Sequence, residues 1–301
     1  MYVYLYIALT LLIPLLSFIP VWLSKNWLTY YFFIAMINFL LTGYFIYSCG
    51  AWPYLGYNWR IISGLIYIFL LFIKFYRKRK IPAAAAYRKK PVASVCITLI
   101  AGAMMYLNLE ARQNYSTNLP PIELQFPLRN GTYAIQQGGN NEIGNVAHRR
   151  HIPESLAMDI VKLNDHQRRC TDFFSTSVSD YAIYGDTVVS PCDAVVMGAF
   201  DGIEDNIPPV MNTDNRGGNH VVLRYAGVNI ILCHMQLHSI MVKKGQHIKA
   251  GTPIGLVGNT GYSIEPHLHI QAFKKGIYSN QQVPIQFDGR FLKLNDVYES
   301  D

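Results

Sequence analysis

The residues best suited to chemistry are histidines, and all nine lie after residue 147. His267 and His269 flank Leu268 in PHLHIQAF. In a strand, residues two apart share a face, so both imidazoles would enter one site while Leu268 enters the core. Neutral imidazole is a good zinc ligand, although two histidines on an exposed face meet the same spacing. His234 ends the apolar run NIILCHMQL, a setting in which a lone histidine is ordinarily a half-buried core residue. Upstream, NVAHRRHIPESLAMDIVKLN supplies His148, His151 and Asp159. Two nitrogen donors, one carboxylate and an open position describe a catalytic zinc site rather than a closed structural one.

Strands must position these side chains. From residue 122 to 301, short β-rich runs recur between turn signals: TVVSPCDAVVMGAF, NHVVLRYAGVNIILCHMQL, HIKAGTPIGLVGNTG and HLHIQAF. This texture predicts an all-β, antiparallel domain. The stretch VKKGQHIKAGTPIGLVGNTG has the rhythm of a lipoyl-like hairpin motif, without an evident lysine at a hairpin tip to carry a modification.

The first third has a different texture. Apolar residues make up 51% of the chain and charged ones 15%, against a soluble norm of about 25% charged. That excludes disorder as the dominant state. Four apolar stretches, about Tyr2–Leu23, Leu28–Ser48, Ile61–Phe75 and Pro91–Leu109, predict a transmembrane region over 1–109, joined by a polar linker over 110–121. A span takes ~20 apolar residues. The third is short, and Arg60 and Lys74 can snorkel from its ends. The first has no basic leader segment and is too long for a cleaved signal, so it reads as a permanent span.

Net charge is +7, but residues 1–115 carry eleven Lys/Arg and a single acid, Glu110, leaving the remainder acidic. The positive charge thus sits beside the spans, as membrane topology requires, and not on a soluble nucleic-acid-binding face. The connection KFYRKRKIPAAAAYRKK is basic enough to stay cytoplasmic, which places the C-terminal domain on the extracytoplasmic side of the cytoplasmic membrane. The partners expected are therefore membrane lipid around four spans and no nucleic acid.

At these residues a resemblance is clear. HIPESLAMDIV, SPCDAVV, GNHVVLRY, ILCHMQ, VKKGQHIKAGTPIGLVGNTG and EPHLHI, in this order, resemble the M23 (lysostaphin/LytM-type) metallopeptidases over roughly 125–285. The resemblance implies a twisted antiparallel sheet with a groove, and a zinc endopeptidase cutting peptide bonds in bacterial peptidoglycan. Residue by residue, it implies His269 and Asp159 as zinc ligands, with His234 and His267 assisting catalysis. The usual His-x-x-x-Asp pattern would put the first ligand at position 155, which is Ser155 here. A longer spacing favours His148 as that ligand, with His151 the alternative. Zn²⁺ would acidify its water and polarise the scissile carbonyl.

Other residues carry weaker expectations. His220 lines the groove or is an ordinary strand residue. Asp193, Asp201 and Asp205 either support the site or cap surface turns. Cys170 and Cys192 could be bridged in an oxidising compartment. Cys233 should point away from His234 on its strand, which argues against a Cys–His dyad. Two rival readings stand beside the peptidase: a metal-free M23-like module that binds or regulates cell-wall enzymes, and a carrier or transport accessory.

Overall fold

The computed structural model describes residues 2–24, 30–76, 91–112, 120–149, 154–274 and 281–301. The chain forms two compact units, 1–112 and 113–301.

In the first unit, α1 (Tyr2–Leu23), α2 (Tyr30–Cys49), α4 (Tyr57–Tyr76) and α5 (Pro91–Arg112) are long helices, and α3 (Trp52–Leu55) is one turn between α2 and α4. Among the described residues, those four long helices are long and apolar enough to cross a membrane, with mean hydropathies of 1.6 to 2.1. The third apolar stretch is longer than the sequence suggested. Its helix starts at Tyr57, not Ile61, so the polar NWR turn is wound into it and the length reaches 20 residues. The fourth continues past Leu109 into the expected linker, to Arg112. Leu28, Lys25 and most of the basic connection (77–90) lie outside the described residues.

Aromatic packing ties this bundle together. Phe39 of α2 stacks on Tyr67 of α4 with ring centroids 4.3 Å apart, and Phe18 of α1 packs on Phe39 at 5.2 Å. Asn108 of α5 donates to the Leu41 carbonyl at 3.0 Å, so a polar side chain on one helix is satisfied by the backbone of another.

The second unit is built of β1 (Ile122–Leu124), β2 (Gly131–Gln137), α6 (Val146–Arg149), β3 (Met158–Lys162), β4 (Thr187–Val189), β5 (Ala194–Phe200), β6 (Asn219–Tyr225) and β7 (Val228–Met235). Then come β8 (His247–Ile248), β9 (Pro253–Leu256), β10 (Leu268–Phe273), β11 (Gln282–Val283), β12 (Ile285–Phe287) and β13 (Val297–Ser300). The main sheet runs β13-β2-β3-β10-β7-β6-β5-β8, with β11 also on β10, and all its pairs are antiparallel. One pair departs from the antiparallel expectation: β1 runs parallel to β12, Ile122 facing Ile285. Those two segments are far apart in sequence, so no hairpin dictates their direction.

Alternation assigns the faces. Leu268 and Ile270 of β10, Ile160 of β3, and Ile230 and Leu232 of β7 are fully buried in one core. The residues between them, Asp159, His269, Ile231 and Cys233, therefore occupy the opposite face. The β6–β7 turn is Ala226-Gly227, both with positive φ (47° and 75°). Such a turn matches the strand twist and sets the register that carries β7 toward the site.

Candidate metal centre

Two strands supply the centre directly. His269 of β10 is the cross-strand partner of Asp159 of β3, so register alone brings them together. His269 Nδ1 lies 3.1 Å from Asp159 Oδ1. The third group arrives from the loop between β2 and β3: His148, on the single turn α6, places Nε2 3.3 Å from the same oxygen. His148, Asp159 and His269 are all buried, and one donor atom from each lies within 4.8 Å of the others.

How His148 crosses eleven residues is decided by Asn145, which is fully buried. Its amide nitrogen donates to the carbonyls of Gly139 (3.1 Å) and Ala157 (3.0 Å), drawing both ends of the loop together. Its Oδ1 accepts from His148 Nδ1 at 2.8 Å. The outer nitrogen of that imidazole is thereby occupied, and Nε2 turns inward. Asn145 escaped the sequence reading; its one signal was an Asn just before a short helical turn, where a cap is expected. His151 lies outside the described residues.

His267 and His234 flank the cluster. His267 Nε2 is 3.4 Å from Asp159 Oδ1, and its Nδ1 bonds the Glu265 carbonyl at 2.8 Å. His234 Nδ1 bonds the Thr260 carbonyl at 2.8 Å. Carbonyls only accept, so both rings carry the proton on Nδ1 and offer Nε2 to the site. The ring centroids of His234 and His267 are 4.7 Å apart.

Regular alternation would have sent His234 to the core with Leu232. A bulge prevents this. The β6–β7 register shifts between Asn219 and Val221, so Cys233 and His234 together oppose His220. His234 itself adopts φ +64°. Bulges re-aim side chains beside active sites, and here the result is that His234 and Cys233 share the open face. The expectation that Cys233 points away from His234 is thus corrected. Burial first, then the charges of Glu154 and Asp159, push the Cys233 thiol up, which leaves it a poor nucleophile. Gly218 makes the neighbouring approach possible: a Cβ there would sit 2.4 Å from the Thr260 carbonyl that orients His234.

Behind His267 lies a buried ion pair. Arg169 is 1% exposed and Glu265 2%, and Arg169 grips Glu265 through Nε (2.9 Å) and Nη2 (2.6 Å). Gln136 donates to the same carboxylate at 2.6 Å.

The electrostatics are those of a crowded anion. Burial raises the Asp159 carboxyl, but His148 and His267 more than offset this and hold it well below the usual range. Burial, reinforced by His267 and His269, keeps His234 neutral far below its ordinary value. Burial lowers His267, while Asp159 outweighs it and leaves the ring above the usual imidazole value.

The donor set fits zinc. Ligand atoms 2.0–2.2 Å from a tetrahedral ion lie about 3.3–3.5 Å apart, close to the 3.1 and 3.3 Å seen here. A carboxylate oxygen with three imidazole nitrogens at 3.1–3.4 Å has more neighbours than lone pairs, an excess that a shared cation resolves.

The remaining expectations sort out by place. His220 lies on the open face, stacked on Phe200 at 4.5 Å, with Nδ1 bonded to the Gly218 carbonyl. Asp205 accepts from the backbone of Leu237 and Asn259, Asp201 from that of His238, and Asp193 pairs with Lys249 at 2.8 Å. These three cap turns. Cys170 and Cys192, which could have been bridged, are both buried and free.

Comparison with known proteins agrees with this picture. Residues 177–281 match the model of peptidase family M23. That interval contains His234, His267 and His269 and stops short of His148 and Asp159. The chain is 35% identical over 94 residues to peptidoglycan DD-endopeptidase ShyA of Vibrio cholerae, covering 31% of this chain and 20% of that protein. It is 39% identical over 77 residues to glycyl-glycine endopeptidase ALE-1 of Staphylococcus capitis, covering 25% and 21%. The chain thus spans about a fifth of the length of these curated relatives. Among solved structures, the lysostaphin catalytic domain from Staphylococcus simulans is 27% identical, covering 40% of this chain and 77% of that one, with a TM-score of 0.26.

Proposed function

We propose that this chain is a membrane-anchored zinc endopeptidase that hydrolyses peptide bonds of peptidoglycan outside the cytoplasmic membrane. The observation that carries the reading is the convergence of His148, Asp159 and His269 on one point, with the Nε2 atoms of His234 and His267 turned toward it. The M23 match and the peptidoglycan endopeptidases among its relatives supply the substrate class.

His148, Asp159 and His269 would hold the metal. When bound, Zn²⁺ supplies Lewis acidity, lowering the pKa of a water and polarising the scissile carbonyl. The protein's own groups do the rest. Asn145 fixes the His148 ring, and backbone register fixes His269 against Asp159. His234 and His267 each present a nitrogen whose protonation can change during the reaction, one to take the proton of the attacking water and the other to hydrogen-bond the developing oxyanion. The strained backbone of His234 and the carbonyl of Glu265 keep those rings in place.

The test is zinc content of the full chain, purified in detergent without chelator, alongside release of soluble fragments from peptidoglycan. One zinc per chain, lost in Asp159→Asn and His148→Ala together with digestion, supports the reading. A wild-type chain that neither holds zinc nor digests peptidoglycan after zinc is added overturns it. The metal-free module would be favoured by a His148 remote from Asp159; their 3.3 Å separation supports the metal-binding reading instead.

A further inference from the structure

Beside the metal centre, two loops are joined by one ion pair. Glu154 belongs to the turn 154–157, which Asn145 ties to the loop of His148 through the Ala157 carbonyl. Arg216 precedes Gly217, whose carbonyl accepts from the His234 backbone amide at 3.1 Å. The Glu154–Arg216 pair thus runs from the His148 side of the centre to the His234 side. Beneath it lies Cys233: a Cβ at Gly217 would be 3.6 Å from Cys233 Sγ, and Cys233 is the cross-strand partner of His269.

The pair is built to be exchanged. Arg216 uses a single nitrogen, Nη2, for both Glu154 oxygens, at 3.1 and 3.3 Å. A guanidinium binds a carboxylate best through two parallel N–H groups, and this geometry does not use them. The side chains are 42% and 25% exposed, and pairs that open to solvent contribute little to stability. The guanidinium is nevertheless well placed. Its carbon sits 4.9 Å from the Tyr262 ring centroid, and the Tyr262 amide donates to the Arg216 carbonyl at 3.0 Å.

We infer that Arg216 is a recognition site for a carboxylate of the peptide substrate, and that Glu154 is its resting partner, displaced when substrate binds. This rests on the endopeptidase reading and adds to it that the preferred substrate carries a free carboxylate near the scissile bond, on the His234 side. A peptide carboxylate aligned with the fork gains a bidentate pair in exchange for a one-nitrogen pair. Tyr262 keeps the guanidinium from following Glu154 away.

The probes are two synthetic cross-linked cell-wall tetrapeptide dimers, one with free carboxylates and one with the same groups amidated. Both are tested on the full chain in detergent, by cleavage and by equilibrium binding. Wild type should prefer the free acid. Arg216→Gln should lower kcat/KM on the acid about 10- to 100-fold, mainly through KM, while changing the amide little. Arg216→Lys, which keeps the charge without the fork, should fall between. Glu154→Gln should bind the acid more tightly than wild type, since the competing carboxylate is gone. Equal losses on both peptides in Arg216→Gln, or no preference for the acid in wild-type binding, overturn the inference. If binding discriminates but no peptide is cleaved, the endopeptidase reading fails and the carboxylate site stands; cleavage of both peptides without discrimination has the opposite meaning.

Discussion

Asn145 and the bulge at His234 shape the centre as much as the three candidate ligands do. Asn145 orients a ligand without facing the centre, and His234 faces it only because the bulge re-aims its strand position. Groups that orient a ligand typically account for 10- to 100-fold in metal affinity, and Asn145 both orients His148 and closes its loop. Asn145→Ala should therefore weaken zinc binding by roughly that factor in a chelator competition titration. His234 stores strain, because a non-glycine residue at positive φ costs about 1–2 kcal/mol. His234→Gly should come out more stable than His234→Ala by about 1 kcal/mol in thermal unfolding, with peptidoglycan digestion lost in both.

At the scale of elements, the segment around residue 169 is fastened to the loop before β10 by the Arg169–Glu265 pair. Removing one partner strands the other's charge in the interior, which costs about 3–5 kcal/mol, whereas replacing both is far milder. Arg169→Met should be strongly destabilised in urea unfolding, and Arg169→Met with Glu265→Gln should recover much of the loss. Burial raises the Glu265 carboxyl, but Arg169 and Gln136 lower it further, so the net is below its ordinary value. A carboxylate with a depressed folded pKa contributes stability that is complete above its unfolded pKa, about 4.3. That contribution is lost as pH falls from there through the folded value. The double variant should consequently show a shallower loss of melting temperature below pH 5 than wild type.

For the whole molecule, the proposal places the β unit outside the cytoplasm and the basic segment 77–90 inside. Cysteine labelling decides this. In a Cys49→Ser, Cys96→Ser background, which leaves only buried cysteines among the native ones, Asn212→Cys should react with a membrane-impermeant maleimide on intact cells, and Ala84→Cys only after the membrane is opened. Labelling of Ala84→Cys on intact cells would reverse the orientation.

Length and apolar content were enough to mark the four helices, because some twenty consecutive apolar residues make a helix long enough to cross a membrane, and that is legible residue by residue. The period-2 rhythm of HLHIQAF was enough to put His267 and His269 on one face, since alternation is a property of the strand itself. What only the tertiary structure decided depends on contacts between distant segments. The pairing of His269 with Asp159 is a matter of register between β3 and β10, more than a hundred residues apart. The return of His148 is the work of one buried amide. The orientation of His234 reverses the local rule, through a bulge that no alternation pattern encodes. Even the helix that begins at Tyr57 was longer than its apolar core, because a polar turn costs nothing when it winds at the end of a helix where water can reach it.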